Sequence, residues 1–170
     1  NSTGGSPALA AWTLRPDNYY YSVNWHSNDN SQFYLSNSDE QGSGGTTATI
    51  LQSPAFSTIG YASVNILFFH CYKHYASTGK VEASLDGLGW TTLQTYSVTT
   101  GTESVFASAT VALTAPFLNQ PNVMIRFKFD ASWGYYWGID NVTISSPTAV
   151  DFTWAPFTYL YSDAGAVTPY

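Results

Sequence analysis

Trp133-Gly-Tyr-Tyr-Trp-Gly-Ile-Asp-Asn-Val-Thr-Ile144 decides how the rest of this chain is read. An aromatic cluster runs straight into a segment, Ile139 to Ile144, whose apolar residues alternate with Asp140 and other polar ones. That alternation predicts a two-faced β-strand with an acidic side chain set beside tryptophan and tyrosine. Exposed rings would form a platform for sugars or other flat apolar surfaces. A carboxylate on the opposite face would hold a metal ion or close a hydrogen-bond network. Nothing in the stretch has the pattern of a catalytic centre, so the first expectation is binding without chemistry.

Working outward, residues 122–129 give the sharpest period-2 pattern, with Val123, Ile125, Phe127 and Phe129 on one face. Residues 62–74 form the longest apolar run, and their β-branched and aromatic content favours a core strand over a helix. Gly79 is expected to separate that strand from residues 80–85. Asp86-Gly87 is a tight-turn signal, so residues 80–96 form a predicted hairpin. Shorter strands are predicted over 32–36, 47–52 and 106–113, with a short strand and a turn within 12–23. The loop Asn37-Ser-Asp-Glu-Gln-Gly-Ser-Gly-Gly45 suits neither a helix nor a central strand. Eight to ten strands without a helix predict an all-β fold: a two-sheet antiparallel β-sandwich of jelly-roll type over residues 12–146. Residues 1–11 are expected to be a linker or frayed start. Residues 147–170 are expected to be a linker and the truncated opening of a further module.

At 170 residues the chain has room for one domain with a substantial core. Only 9% of residues are charged while aromatics reach 17%, against about a quarter charged in an average soluble domain. Ser, Thr, Gly and Asn fill the loops, which suits a secreted or cell-surface β protein. The net charge of −6, with five Lys and Arg, argues against a nucleic-acid partner, because nothing would neutralise phosphates. No apolar run reaches the roughly 20 residues of a membrane-spanning helix, so membrane insertion is not expected. If the protein is exported, its signal was removed or lies upstream. Cys71 is the single cysteine and permits no internal disulfide; a buried thiol is its expected state.

The order of the motifs carries more than any one of them. Asn37-Ser-Asp-Glu-Gln-Gly-Ser-Gly44, Leu51-Gln-Ser-Pro54, Leu67-Phe-Phe-His70, Val81-Glu-Ala-Ser-Leu-Asp-Gly87 with Trp90, Ile125-Arg-Phe127 and Trp137-Gly-Ile-Asp-Asn-Val142 follow one another across residues 12–146. In that order they resemble the choice-of-anchor J family, MAM-like jelly-roll modules related to the cleaved-adhesin domains of gingipain-type proteins. One turn departs from the family pattern: Asp-Gly-Gly-x-x-Trp is here Asp86-Gly-Leu-Gly-Trp90, one residue shorter. The tail, Thr153-Trp-Ala-Pro156 with Leu160-Tyr-Ser-Asp-Ala164, looks like the start of Ig-like repeats in large Bacteroidetes surface proteins. The resemblance implies an adhesive or carbohydrate-directed module, without catalysis. It would be secreted or surface-anchored by the type IX route, beside neighbouring modules of the same polypeptide.

Two candidate sites follow. For ligand, a glycan or another cell-surface group, the candidates are Trp133, Tyr135, Tyr136 and Trp25, since flat rings stack on sugar faces and their polar tips add hydrogen bonds. Core positions are expected for Trp137 and Trp90. For a structural calcium, which takes six to eight oxygens, the loop offers Asp39 and Glu40, and the resemblance adds Asp140. His70 and His74 have the spacing of a zinc pair only on a helix. On a strand they stand about 13 Å apart, too far for one ion. The alternatives are a structural spacer that binds nothing, or an accessory domain of a secreted peptidase or hydrolase.

Overall fold

The structure, a computed structural model, describes residues 2–3 and 8–146. Among the described residues twelve strands run in chain order: β1 (Ser2–Thr3), β2 (Thr13–Arg15), β3 (Tyr20–Tyr21), β4 (Val23–Asn24), β5 (Phe33–Asn37), β6 (Thr46–Gln52), β7 (Asn65–Tyr72), β8 (Ser77–Ser84), β9 (Thr91–Tyr96), β10 (Ala107–Ala112), β11 (Met124–Ser132) and β12 (Tyr136–Ser145). One antiparallel sheet has the order β1-β6-β11-β8-β9 and the facing one β10-β7-β12-β5-β2; β3 and β4 form a small ribbon. The result is the expected jelly-roll sandwich. Among the described residues the only helical turns are short 3-10 segments at Ala8–Ala10, Asp39–Gln41 and Ala115–Phe117.

The main core lies between the sheets. The period-2 pattern that runs from Val123 into β11 works as its sequence predicts: Val123, Ile125, Phe127 and Phe129 are buried, whereas Arg126, Lys128 and Asp130 alternate with them and are only partly buried. Trp137 sits at the centre, its ring centroid 5.6 to 5.9 Å from those of Tyr96, Tyr72, Phe127 and Trp12. A second core of Trp25, Phe33, Leu35, Cys71, Phe106 and Tyr136 covers the outer face of the β7–β12–β5 region. This explains the unbroken apolar run around Cys71. Residues 70–72 of β7 are buried on both faces, so no polar alternation is needed there.

Two glycines make room for indole rings. Gly79, expected to separate the 62–74 strand from residues 80–85, lies inside β8, where a Cβ would stand 2.8 Å from Cζ3 of Trp137. Gly138 does the same on the opposite face, where a Cβ would stand 3.0 Å from both Phe106 Cζ and Trp25 Cζ3. A glycine within a strand here marks close approach and no turn. Gly138→Ala is therefore expected to destabilise the domain by about 1–3 kcal/mol through overpacking, read as a lower urea midpoint with an unchanged slope.

Other expectations need correction. The described part of the expected linker or frayed start over 1–11 joins the fold: Ser2 and Thr3 pair with Leu51 and Ile50 of β6, and the carbonyl of the buried Ala10 accepts from Ser36 Oγ at 2.6 Å. Trp90 is half-buried on the outer face of its sheet, with the Arg126 guanidinium 4.1 Å from its ring centroid. Arg126 in turn pairs with Glu82 at 2.6 Å. The shortened turn before Trp90 is closed by Asp86, whose Oδ1 accepts from Leu88 and Gly89 N–H at 2.8 and 2.9 Å. Those bonds hold its carboxyl below the usual carboxylate range. The expected start of a further module over 147–170 lies outside the described residues.

Candidate functional site

Three connections meet at one end of the sandwich. The segment entering β12 is fastened to the Asp39 loop: Ser38 and Asp39 N–H both donate to Tyr135 O, at 2.9 and 3.2 Å, and Trp133 N–H donates to Gly45 O at 2.9 Å. It is fastened equally to the β7–β8 connection, since Ser132 N–H donates to Ala76 O and Lys73 N–H to Tyr136 O, each at 3.0 Å. Gly134 lies tight against that connection, and a Cβ there would come within 2.6 Å of Tyr75 O. The backbone so held is strained. Trp133 and Ala76 take φ of 47° and 43°, the left-handed region that bulky side chains rarely enter and that concentrates at functional sites.

This frame presents Asp39, Tyr75, Trp133 and Tyr135 around one cavity of about 310 Å³. Tyr75, Trp133 and Tyr135 are 55%, 46% and 37% exposed. The Tyr75 and Tyr135 rings meet edge to face at 5.9 Å. Asp39 Oδ2 accepts from the Tyr21 hydroxyl at 2.9 Å, and burial together with that carboxylate pushes the Tyr21 pKa up to about 12. Tyr21 therefore stays protonated and remains a donor. Lys73 stands 5.1 Å from the Tyr135 ring centroid and 3.1 Å from Glu103 Oε1, which also accepts from the Tyr136 hydroxyl.

Trp133 and Tyr135 thus come together as candidate ligand residues, joined by Asp39, which the sequence suggests for a metal. Trp25 and Tyr136 do not. They are 0% and 5% exposed in the second core, their rings 4.8 Å apart, and offer no free face to a ligand. Trp137 is buried as expected, donating from Nε1 to His70 Nδ1 at 3.3 Å.

The carboxylates proposed for calcium are not assembled. Asp140 is buried: its Oδ2 accepts from Asn28 N–H and its Oδ1 from Asn141 N–H, each at 2.8 Å. It ties the loop after β4 to the last strand, closing a hydrogen-bond network, and burial raises its pKa. Glu40 is exposed, and Asp39 faces the aromatic cavity. Among the described residues no three His, Cys, Asp or Glu side chains gather as a metal site would require. The set Asp39, Glu40 and Asp140 does not fit a calcium ion.

Tyr75 is the residue that the sequence reading misses. It occupies the four-residue connection between β7 and β8, and a large ring in so short a connection has little choice but to face outward. The available signal is topological: the predicted strand over 62–74 already leaves Tyr75 in a connection, but the residues alone do not bring that connection beside the entrance to β12.

No family model matches the sequence, and no curated protein matches it. Among solved structures the chain is similar to the K1 cleaved adhesin domain of Lys-gingipain from Porphyromonas gingivalis W83. The two share 20% identity and a TM-score of 0.53, over 86% of this chain and 98% of that one. The K3 cleaved adhesin domain of the same protein is similar at 15% identity and a TM-score of 0.52, over 84% and 94%. At these identities the likeness concerns the fold alone, a jelly-roll sandwich. No helix among the described residues is long and apolar enough to cross a membrane.

Proposed function

We propose that this domain is a non-catalytic binding module of the choice-of-anchor J kind. It is displayed outside the cell on a larger bacterial surface protein, and its Asp39–Tyr75–Trp133–Tyr135 cavity takes a carbohydrate. One observation carries the reading: three partly exposed rings and one carboxylate converge on a single cavity, on backbone pinned from three connections. Rings of this kind cover the apolar face of a pyranose, and a carboxylate accepts from its hydroxyls in charge-assisted hydrogen bonds. A pinned frame limits the ordering cost of binding. The likeness to cleaved adhesin domains is compatible with an adhesive role.

The test is a glycan array probed with the native protein and with Trp133→Ala. The native protein is expected to retain a defined group of glycans. The variant is expected to lose that binding by about tenfold or more, while its Tm moves by no more than about 2 °C, because a half-exposed ring is removed from outside either core. A well-folded native protein that binds nothing on the array refutes the carbohydrate reading.

A further inference from the structure

Resting on that carbohydrate reading, we infer that the cavity selects sugars carrying a free ammonium group, residues of the glucosamine type, over their N-acetylated, neutral or carboxylated counterparts. The charge of the lining decides this. Asp39 is the one charged residue among the four that line the cavity, and the other three are rings. Among the described residues Asp39 forms no ion pair. Its partner is the neutral Tyr21 hydroxyl, which satisfies part of Oδ2 and leaves the negative charge uncompensated. Lys73, the cation over the Tyr135 ring, is already paired with Glu103. Glu40, exposed and next in sequence to Asp39, adds to the negative field.

Ring faces are themselves negative, so they attract cations held against them. A carboxylate flanked by aromatic faces suits a ligand that combines a flat apolar surface with a positive group, and a glucosamine ring has both. Its C–H face can lie on Trp133 or a tyrosine while its ammonium donates to Asp39. N-acetylation removes the charge and turns the group into a weaker amide donor. A uronic acid would bring a second carboxylate toward Asp39 and be repelled. The chain's net charge of −6 favours cationic ligands over the whole surface, so the test must separate the cavity from that general attraction.

Titration calorimetry in a mildly acidic buffer, where the glucosamine amines are protonated, would compare the β-1,4-linked glucosamine hexamer, its fully N-acetylated form, a galacturonate hexamer and a lysine hexamer as a cationic control. Native protein, Asp39→Asn and Trp133→Ala would each be titrated. The glucosamine hexamer is expected to bind about tenfold or more tightly than the acetylated one, a difference of about 1.4 kcal/mol. Asp39→Asn should erase that preference and leave the weaker, acetylation-insensitive binding in place, while Trp133→Ala should weaken both oligosaccharides. Equal or tighter binding of the acetylated hexamer overturns the inference, as does a preference that survives Asp39→Asn. A lysine hexamer that binds as tightly, with the same dependence on Asp39, also overturns it by making the cavity a general cation site. In those cases the carbohydrate reading stands wherever an oligosaccharide binds in a Trp133-dependent way. No binding of any of the three oligosaccharides overturns the inference, and the glycan array then decides whether the carbohydrate reading stands.

Discussion

Trp137→Ala is expected to cost the domain about 3–5 kcal/mol, the range for truncating a fully buried large aromatic residue. Against a total stability of about 5–15 kcal/mol for such domains, that is about a fifth or more of what holds the fold. The size follows from where the ring sits. It is fully buried and touches the rings of Phe127 and Tyr96 from one sheet and of Tyr72 from the other, as well as Trp12. Its removal therefore takes apolar surface out of contact with both layers and leaves a cavity that packed neighbours only partly fill. The close approach of Gly79 adds a sharper test. Gly79→Ala alone would push a methyl to within 2.8 Å of the indole and should cost about 1–3 kcal/mol. In the Trp137→Ala background the same methyl enters the vacated space, so the double variant should be more stable than the sum of the two single losses predicts. Urea unfolding of the four proteins measures this directly. Strict additivity would mean that the indole does not rest on Gly79.

How far such features are legible beforehand depends on whether one strand or several create them. The inward face of β11 is written in its own alternation, and Asp86-Gly87 announces its turn, so these are read from residues alone. The second core is not. Trp25, Phe33, Cys71, Phe106 and Tyr136 come from five separate segments, and no local period reveals that the outer face of β12 is covered. Tyr136 and Trp25 were for that reason expected among exposed ligand residues. Gly79 and Gly138 illustrate the same limit: a glycine in a strand means a break or a close approach, and the indole that decides between them lies elsewhere in the chain.

The candidate site was half legible for similar reasons. Trp133 and Tyr135 stand out as aromatics at a strand entrance. Asp39 stands out as an acid in a glycine-rich loop, where chemistry in isolation suggests a cation ligand. Only the backbone hydrogen bonds from Ser38 and Asp39 to Tyr135 place the acid beside the rings, and only the position of the β7–β8 connection brings Tyr75 to them. The strain at Trp133 and Ala76 has no sequence signal, since neither residue favours positive φ.

Acid should weaken this domain through one buried histidine, well above the range where most carboxylates titrate. His70 is buried among Phe68, Tyr96 and Trp137, and burial lowers its pKa from 6.5 to about 4. Its Nδ1 accepts from the Trp137 indole N–H, so protonation there would also set a donor against a donor. Above pH 6.5 the side chain is neutral whether the chain is folded or not, and it contributes no pH dependence. Between pH 6.5 and about 4 the unfolded chain binds a proton that the folded one refuses, and stability falls as pH falls. The gap corresponds to about 3 kcal/mol, fully lost near pH 4 and not increasing below it. Glu103 and Asp86, whose pKa values are lowered in the fold, add acid losses that begin only as pH falls through the ordinary carboxylate range and continue below it. Asp140, whose pKa is raised by burial, works in the opposite direction, its penalty being relieved as it protonates. The upper part of the curve therefore belongs to the histidine. Urea midpoints measured from pH 7.5 to 4 should fall steadily below pH 6.5 in the native protein. In His70→Asn, which keeps an acceptor for Trp137 but cannot be protonated, stability is expected to be lower throughout, and the slope between pH 6.5 and 5 should be nearly flat. An equal slope in both proteins would place the proton uptake on another group and show that His70 stays chargeable in the fold.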